Sequence, residues 1–374
     1  MKKIILALVA LIPLSFFSQL TTHSWDFDGE TREYLMYIPS IYDGSTPVPV
    51  VFCLHGLGDN MNNFANIGMN YVADTANFIV ITPQALVDNL SGSTAWNSGA
   101  SAFGYVLNGS VDDIGFLGAI IDTLNTNLNI DLQRVYSCGF SMGGFMTNRL
   151  ACEMNDRIAA IASVAGTIGS AVTCNPGRAV PACHFHGTGD ATVAYTGNQY
   201  GNDAEDLAAY WAANNNCGGT PTVTALPDLA NDNYLVTHYL YSGCDDGADV
   251  ELYKVDSAAH EWLAPPPVND IFYTTEIWNF FLRHTHPENV NVEEYNNLTF
   301  SVYPNPSAGV ISLGLENINN GDIAVYNVIG DLIYHKEISS ETEVLDLSNY
   351  ENGCYFVEVS SEGKRNIQKL ILSK

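Results

Sequence analysis

Gly139-Phe140-Ser141-Met142-Gly143-Gly144 sets a serine among small residues. An apolar run at 134–138 precedes it, and a run with helical spacing, 142–153, follows. A serine on so sharp a strand–turn–helix corner is exposed for attack, and only small flanking groups let strand and helix approach that closely. The helix N-terminus then points backbone N–H groups at the reacting oxygen. A serine hydroxyl is a poor nucleophile at neutral pH and needs a neighbouring base. His260, in Ser257-Ala258-Ala259-His260-Glu261-Trp262, is the candidate base. Asp190, in His186-Gly187-Thr188-Gly189-Asp190, is the candidate for fixing the imidazole tautomer and stabilising its charged form. The chemistry these types support is acyl transfer to serine. Each residue alone has a plainer reading: a glycine turn, a loop-capping aspartate, a surface histidine. All three falling at strand ends in this order argues for chemistry.

Other residues were weighed against them. His184 and His186 share one strand face and could ligate a metal, but no third ligand is evident and the core reading is preferred. Asp112 and Asp113 stand where a helix begins, which suits N-capping. Trp96 and Trp262 are candidates for an aromatic platform at the mouth of the site, binding sugar rings, feruloyl groups or polyester chains alike. No CxxC and no zinc-like Cys/His spacing occurs, so neither metal nor cofactor is expected. Of the eight cysteines, Cys53, Cys138 and Cys183 lie in apolar runs and read as buried thiols. The expected bridges are Cys152–Cys174 and Cys217–Cys244, although spacing alone leaves connectivity open.

The elements that must position these groups are short apolar runs at 50–54, 78–82, 134–139, 158–164, 181–186 and 250–255. Helical periodicity marks 113–128, 142–153, 204–213 and 271–282. Continuous apolar strands alternating with helices imply a mostly parallel α/β sheet flanked by helices, with the site at the strands' C-terminal ends. The run at 32–38 is expected as an antiparallel edge strand.

The termini differ in texture. Residues 1–20 read as a signal peptide: Lys2 and Lys3, then an apolar run too short to span a bilayer. Residues 287–297 read as a polar linker between a catalytic domain at 21–286 and a second domain at 298–374. That last segment holds seven short strand-like runs with close turn signals, a small all-β sandwich. Its blocks Val302-Tyr303-Pro304-Asn305-Pro306-Ser307, Tyr326-Asn327-Val328-Ile329-Gly330, Leu345-Asp346-Leu347-Ser348 and Gly353-Cys354-Tyr355-Phe356-Val357-Glu358-Val359 resemble the C-terminal sorting domain of type IX secretion. The resemblance implies the type IX machinery as a partner and a secreted or cell-surface location.

His55-Gly56-Leu57-Gly58, Trp96-Asn97, 111–116, 139–144, 186–190 and 260–262 occur in order, with Cys217 and Cys244. Together they resemble the polyhydroxybutyrate depolymerase-like esterases of the α/β-hydrolase fold, including the feruloyl and acetylxylan esterases of carbohydrate esterase family 1. The resemblance implies an oxyanion hole from the backbone N–H groups of Leu57 and Met142, and makes His55 structural. The family's Gly-Gly-His-x-Trp-Pro departs here to Ala258-Ala259-His260-Glu261-Trp262-Leu263, which puts the shape of the substrate-side loop in question. The expected substrate is a polysaccharide-linked ester or a polyester. A prolyl-oligopeptidase-type peptidase and a non-catalytic binding protein on the same scaffold are the alternatives. Intact triad slots argue against the binder, and the lack of a propeller-like segment against the peptidase.

The 374 residues carry 14 Lys+Arg against 41 Asp+Glu, a formal charge of −27, which repels phosphate backbones and excludes nucleic acid as an expected partner. A hydrophobic share of 47% excludes wholesale disorder.

Overall fold

A computed structural model describes residues 19–287, 300–315, 318, 320–327, 332–361 and 364–374. The expected signal segment through residue 18 and the expected linker beyond Pro287 lie outside the described residues. The chain divides into two compact units, Met1–Val290 and Asn291–Lys374.

The first unit is built on twelve strands: β1 (Gln19–Phe27), β2 (Glu30–Ile38), β3 (Val48–Leu54), β4 (Ile79–Pro83), β5 (Ser101–Ala102), β6 (Tyr105–Val106), β7 (Ile130–Phe140), β8 (Ala160–Val164), β9 (Ala182–Gly187), β10 (Thr222–Ala225), β11 (Leu235–Tyr241) and β12 (Val250–Asp256). Six helices join them: α1 (Met61–Phe64), α2 (Met69–Ala76), α3 (Asp113–Asn127), α4 (Met142–Glu153), α5 (Ala204–Asn214) and α6 (Tyr273–Phe281). Ten strands form one sheet in the order β1-β2-β4-β3-β7-β8-β9-β12-β11-β10; β5 and β6 make a separate hairpin. The six central strands, β4 to β12 in that order, run parallel. Antiparallel strands close both sides.

The parallel strands are buried on both faces, so alternation is absent from their sequences. Phe52, Leu54, Ile79 and Ile81 face one layer with Phe116 and Leu117 of α3 and Met146 and Leu150 of α4. Val51, Cys53, Val80, Tyr136 and Cys138 face the other, with Ile277, Trp278 and Phe281 of α6. This is the α/β-hydrolase arrangement. The 32–38 run is antiparallel as expected, but it is not the edge. β1 pairs outside it, half-exposed along its length and so without the apolar run that marks the central strands. β10, exposed throughout, and β11, half-exposed, likewise lack an apolar run.

Both expected disulfides are present, Cys152–Cys174 and Cys217–Cys244, and Cys53, Cys138 and Cys183 are buried thiols. Among the described residues no helix is long and apolar enough to cross a membrane.

The second unit holds β13 (Ser301–Tyr303), β14 (Val310–Gly314), β15 (Asp322–Tyr326), β16 (Leu332–Glu337), β17 (Thr342–Asp346), β18 (Gly353–Ser361) and β19 (Lys364–Leu372). A three-stranded sheet, β13-β14-β17, and a four-stranded sheet, β16-β15-β18-β19, share one core. Ile311, Leu313 and Leu345 of the first meet Ile323, Val357 and Leu370 of the second.

One ion pair ties the first unit's β2 to the site region. Arg32, 1% exposed, donates to Asp113 Oδ1 at 2.6 Å, and Asp113 Oδ2 accepts the Asn97 N–H at 2.7 Å. The guanidinium also lies 3.9 Å from the Phe116 ring centre. Removing one partner of a buried pair leaves an uncompensated charge, at a cost of about 3–5 kcal/mol. Arg32→Met is therefore expected to lower the thermal midpoint by roughly 5–15 °C. Calorimetry checks this, and an unchanged midpoint would deny the pair its structural role.

Candidate functional site

Ser141 caps α4 with φ +53° and ψ −120°, a backbone conformation that L side chains rarely adopt. The glycines around it are there for space. A Cβ on Gly143 would stand 1.9 Å from the Leu54 carbonyl oxygen, and one on Gly139 would stand 2.3 Å from the Gly143 oxygen. The turn is pinned by Ser141 N–H to the Val164 carbonyl at 2.8 Å and Phe145 N–H to the Ser141 carbonyl at 3.0 Å.

Asp190 and His260 come from different loops at the ends of β9 and β12, which are parallel neighbours. The loops interlock: Gly189 N–H donates to the Ala258 carbonyl at 2.9 Å, and Ser257 N–H to the Thr188 hydroxyl at 2.9 Å. A Cβ on Gly187 would meet that Ala258 oxygen at 2.2 Å. The contact brings His260 Nδ1 to 2.6 Å from Asp190 Oδ2. The other carboxylate oxygen accepts the N–H groups of Thr192 and Val193 at 2.8 and 2.9 Å. Burial pushes the Asp190 carboxyl up, but bonds from His186, His260 and the backbone outweigh it and hold it well below the usual carboxylate range. A charged acceptor on Nδ1 leaves Nε2 of His260 as the ring atom for proton transfer. The ring packs on Phe140, the neighbour of Ser141, with centroids 4.7 Å apart.

A cavity of about 170 Å³ opens at Ser141. Leu57 and Met142 line it beside the serine, and its walls are otherwise mainly apolar: Ala100, Ala102, Phe103, Phe145, Val193 and Tyr200. The β5–β6 hairpin supplies Phe103, 69% exposed at its turn with φ +56°. These wall residues were not singled out from the sequence. Thr192 and Val193 follow Asp190 directly, which was a usable signal; Phe103 and Tyr200 carry none, because they reach the cavity from loops.

Two expected substrate contacts are corrected. Trp96 is fully buried, and its indole N–H donates to the His55 carbonyl at 2.9 Å, so it supports the Leu57 turn from beneath and offers no platform. Trp262 is half-buried against Phe64 and Tyr273, bonds Thr274 Oγ1 at 3.0 Å, and does not line the cavity. Its spacing from His260 turns it into the core.

His55, His184 and His186 are structural. His55 Nε2 accepts the Ala85 N–H at 3.1 Å and Nδ1 donates to the Gly56 carbonyl at 2.8 Å, which fixes a neutral ring. His186 Nε2 donates to the Val193 carbonyl at 2.7 Å; its Nδ1 therefore accepts from His184 Nε2 at 3.0 Å, and His184 Nδ1 accepts from Ser163 Oγ at 2.7 Å. The His184/His186 pair is thus consumed by a hydrogen-bonded chain. His186 Nε2 also lies 3.4 Å from Asp190 Oδ2. Asp112 caps α3 through the Gly115 N–H at 2.8 Å. Three carboxylates, Asp228, Asp232 and Asp270, also gather within 4.8 Å, but two of them serve as loop acceptors: Asp270 for the Leu229 and Ala230 N–H groups, Asp232 for the Asn269 amide.

Residues 39–204 match the Phospholipase/Carboxylesterase family, and residues 301–373 match the secretion system C-terminal sorting domain. A bifunctional acetylxylan esterase/xylanase of Neocallimastix patriciarum is 28% identical over 69% of this chain and 34% of its own length. Feruloyl esterase B of Piromyces equi is 25% identical over 61% of this chain and 42% of its own, so the chain spans well under half of both relatives. Feruloyl esterase D of Neurospora crassa is 26% identical over 70% of this chain and 85% of its own. Among solved structures, a ferulic acid esterase of Anaeromyces mucronatus superposes with a TM-score of 0.47 at 14% identity, over 74% of this chain and 96% of that one.

Burial lowers the pKa of His55, sends that of His184 well below its ordinary value of 6.5, and pushes His284 down to about 4. In the unfolded chain these rings take up protons below about pH 6.5, whereas the folded chain holds them neutral. Their contribution is complete above that pH and is lost as pH falls toward the folded values. The thermal midpoint is expected to drop between pH 7 and pH 4.5, and to drop less in His284→Phe. A flat midpoint across that window would contradict the neutral assignments.

Proposed function

We propose that this chain, an α/β-hydrolase unit similar to carboxylesterases joined to a sorting domain of the secretion-tail family, is an exported serine carboxylic-ester hydrolase. The observation that carries the reading is the 2.6 Å bond from His260 to a buried, ionised Asp190, with the imidazole packed on the residue that precedes a strained Ser141.

In the reaction Ser141 Oγ attacks the ester carbonyl carbon while His260 Nε2 takes its proton. Asp190 holds the ring and stabilises the imidazolium. The negative oxygen of the tetrahedral intermediate faces the backbone N–H groups of Leu57 and Met142 and the N-terminal end of α4. Losing one such donor costs about 3–4 kcal/mol of activation energy. His260 then protonates the departing alcohol. Water, deprotonated by the same imidazole, releases the acid and restores the serine.

The apolar cavity supports a compact acyl group with apolar or aromatic character. Together with the esterase relatives it favours plant cell-wall esters, feruloyl or acetyl groups on xylan, over a long polyester chain. The sorting domain supports export by type IX secretion to the medium or the cell surface.

Ser141→Ala is expected to lower turnover of methyl ferulate or a p-nitrophenyl ester by roughly 10⁴–10⁶-fold with the thermal midpoint retained. A fluorophosphonate probe is expected to label wild type at Ser141 and to leave the variant unlabelled. Near-normal hydrolysis by Ser141→Ala would remove the assignment. Acetylated xylan and polyhydroxybutyrate powder, run beside methyl ferulate, separate the acyl classes.

A further inference from the structure

A second cavity, of about 590 Å³, borders the same 193–203 loop that walls the Ser141 cavity. Val193 and Tyr200 line the first; Thr196, Asn198 and Asn202 line the second. Gly201 stands between them. A Cβ there would come within 3.0 Å of Phe145 Cζ and Val193 Cγ1, which belong to the first cavity, and Gly201 itself lines the second. One thickness of backbone therefore separates the two.

Their chemistries differ. The second cavity presents the exposed side chains of Thr196, Asn202 and Asp206 and the half-buried ring of Tyr210. Tyr210 is held in place: its hydroxyl donates to the Cys174 carbonyl at 2.9 Å, and Cys174 is bridged to Cys152 on α4. A fixed aromatic face among hydroxyl, amide and carboxylate groups matches the C–H faces and hydroxyls of a sugar. Asp203 and Asp206 accept from hydroxyls but repel carboxylates. The N-terminus of α5 does not reverse this, because Asp203 already accepts the Glu205 and Asp206 N–H groups at 2.7 and 3.2 Å.

We propose that this cavity binds neutral sugar residues further along the chain that carries the scissile ester, beyond the 193–203 loop, while the acyl group occupies the apolar cavity at Ser141. The proposal rests on the esterase reading and adds where the alcohol side of the substrate lies. It also predicts discrimination against uronic-acid-bearing chains.

Asn202→Trp places a large ring in the cavity from an exposed position. In wild type, kcat/KM for a feruloylated arabinoxylo-oligosaccharide is expected to exceed that for methyl ferulate by about tenfold or more, mainly through KM. Asn202→Trp should lower that ratio about fivefold or more. Asp206→Ala, also at an exposed site, should raise activity on a glucuronate-bearing oligosaccharide ester relative to the neutral one. A ratio near one in wild type, or one that survives Asn202→Trp, overturns the proposal. Binding is read separately by calorimetry on Ser141→Ala with unesterified arabinoxylo-oligosaccharide. Affinity is expected there, weakened about tenfold when Asn202→Trp is added. Absence of binding overturns the cavity assignment whether or not the protein cleaves esters. Binding without any ester hydrolysis or probe labelling would instead sink the esterase reading and leave the cavity standing.

Discussion

Everything at the strand ends depends on one backbone-to-backbone contact, the pressing of the 139–144 turn onto β3 and β8. Gly143 lies so close to the Leu54 carbonyl that no side-chain carbon fits between them, and a Cβ on Gly166 would stand 2.4 Å from the Ser141 carbonyl oxygen. This contact holds Ser141 in a conformation that costs on the order of 1–3 kcal/mol, which the surrounding sheet must absorb. It also sets the neighbours. Leu54 leads directly into His55 and Leu57, and the His55 carbonyl is fixed in turn by the buried Trp96 indole. The serine, the two proposed oxyanion donors and the floor of the apolar cavity are thus held by the same few ångströms of packing. The 187–190 and 257–260 loops repeat the device, with Gly187 and Gly189 admitting the Ala258 and Ser257 carbonyls.

Environment, not residue type, sorts the histidines. His55, His184 and His186 are buried with both ring nitrogens hydrogen-bonded, and the backbone partners of His55, the Gly56 carbonyl and the Ala85 N–H, have fixed roles. A second proton on the His55 ring would face the Ala85 N–H, another donor. His260 has a carboxylate on Nδ1 and a side chain 18% exposed, so the ring is oriented and its other nitrogen is open to substrate. The chain through His184 and His186 still matters to the site, because His186 ties down the Val193 carbonyl and so the loop whose N–H groups hold Asp190.

The central sheet was legible because strands buried on both faces are dominated by apolar residues: 50–54 is wholly apolar, and 181–186 and 250–255 mostly so. The serine turn was legible for the steric reason above: few residues satisfy it, so glycine spacing becomes a signal. Asp190 and His260 followed from their places after apolar strands. What failed has an equally physical cause. β1 and β11 are half-exposed and β10 is exposed throughout, and their mixed sequences resemble loops. Trp96 and Trp262 were expected as an aromatic platform at the mouth of the site, but a large ring beside a buried turn gains most by entering the core. The cavity walls at Phe103 and Tyr200 come from loops with no periodicity to read. Nothing in a sequence states which loop tips meet.

The Cys152–Cys174 bridge connects these levels. α4 begins at the serine turn and carries Cys152 in its last turn, so the bridge fastens the far end of that helix to the 167–174 segment. Closing a loop of 22 residues stabilises by about 3 kcal/mol in the chain-entropy account. The same segment supplies Ile168, Val172 and Cys174 to the second cavity, and its last carbonyl holds Tyr210. Such bridges persist only in oxidising compartments. An exported protein can therefore build a wall of its binding surface on a disulfide, whereas a reduced copy would keep the glycine-packed serine turn and lose the tether under Tyr210. Of the two cavities, the one at Ser141 depends on sheet packing and the one beside it on the Cys152–Cys174 bridge.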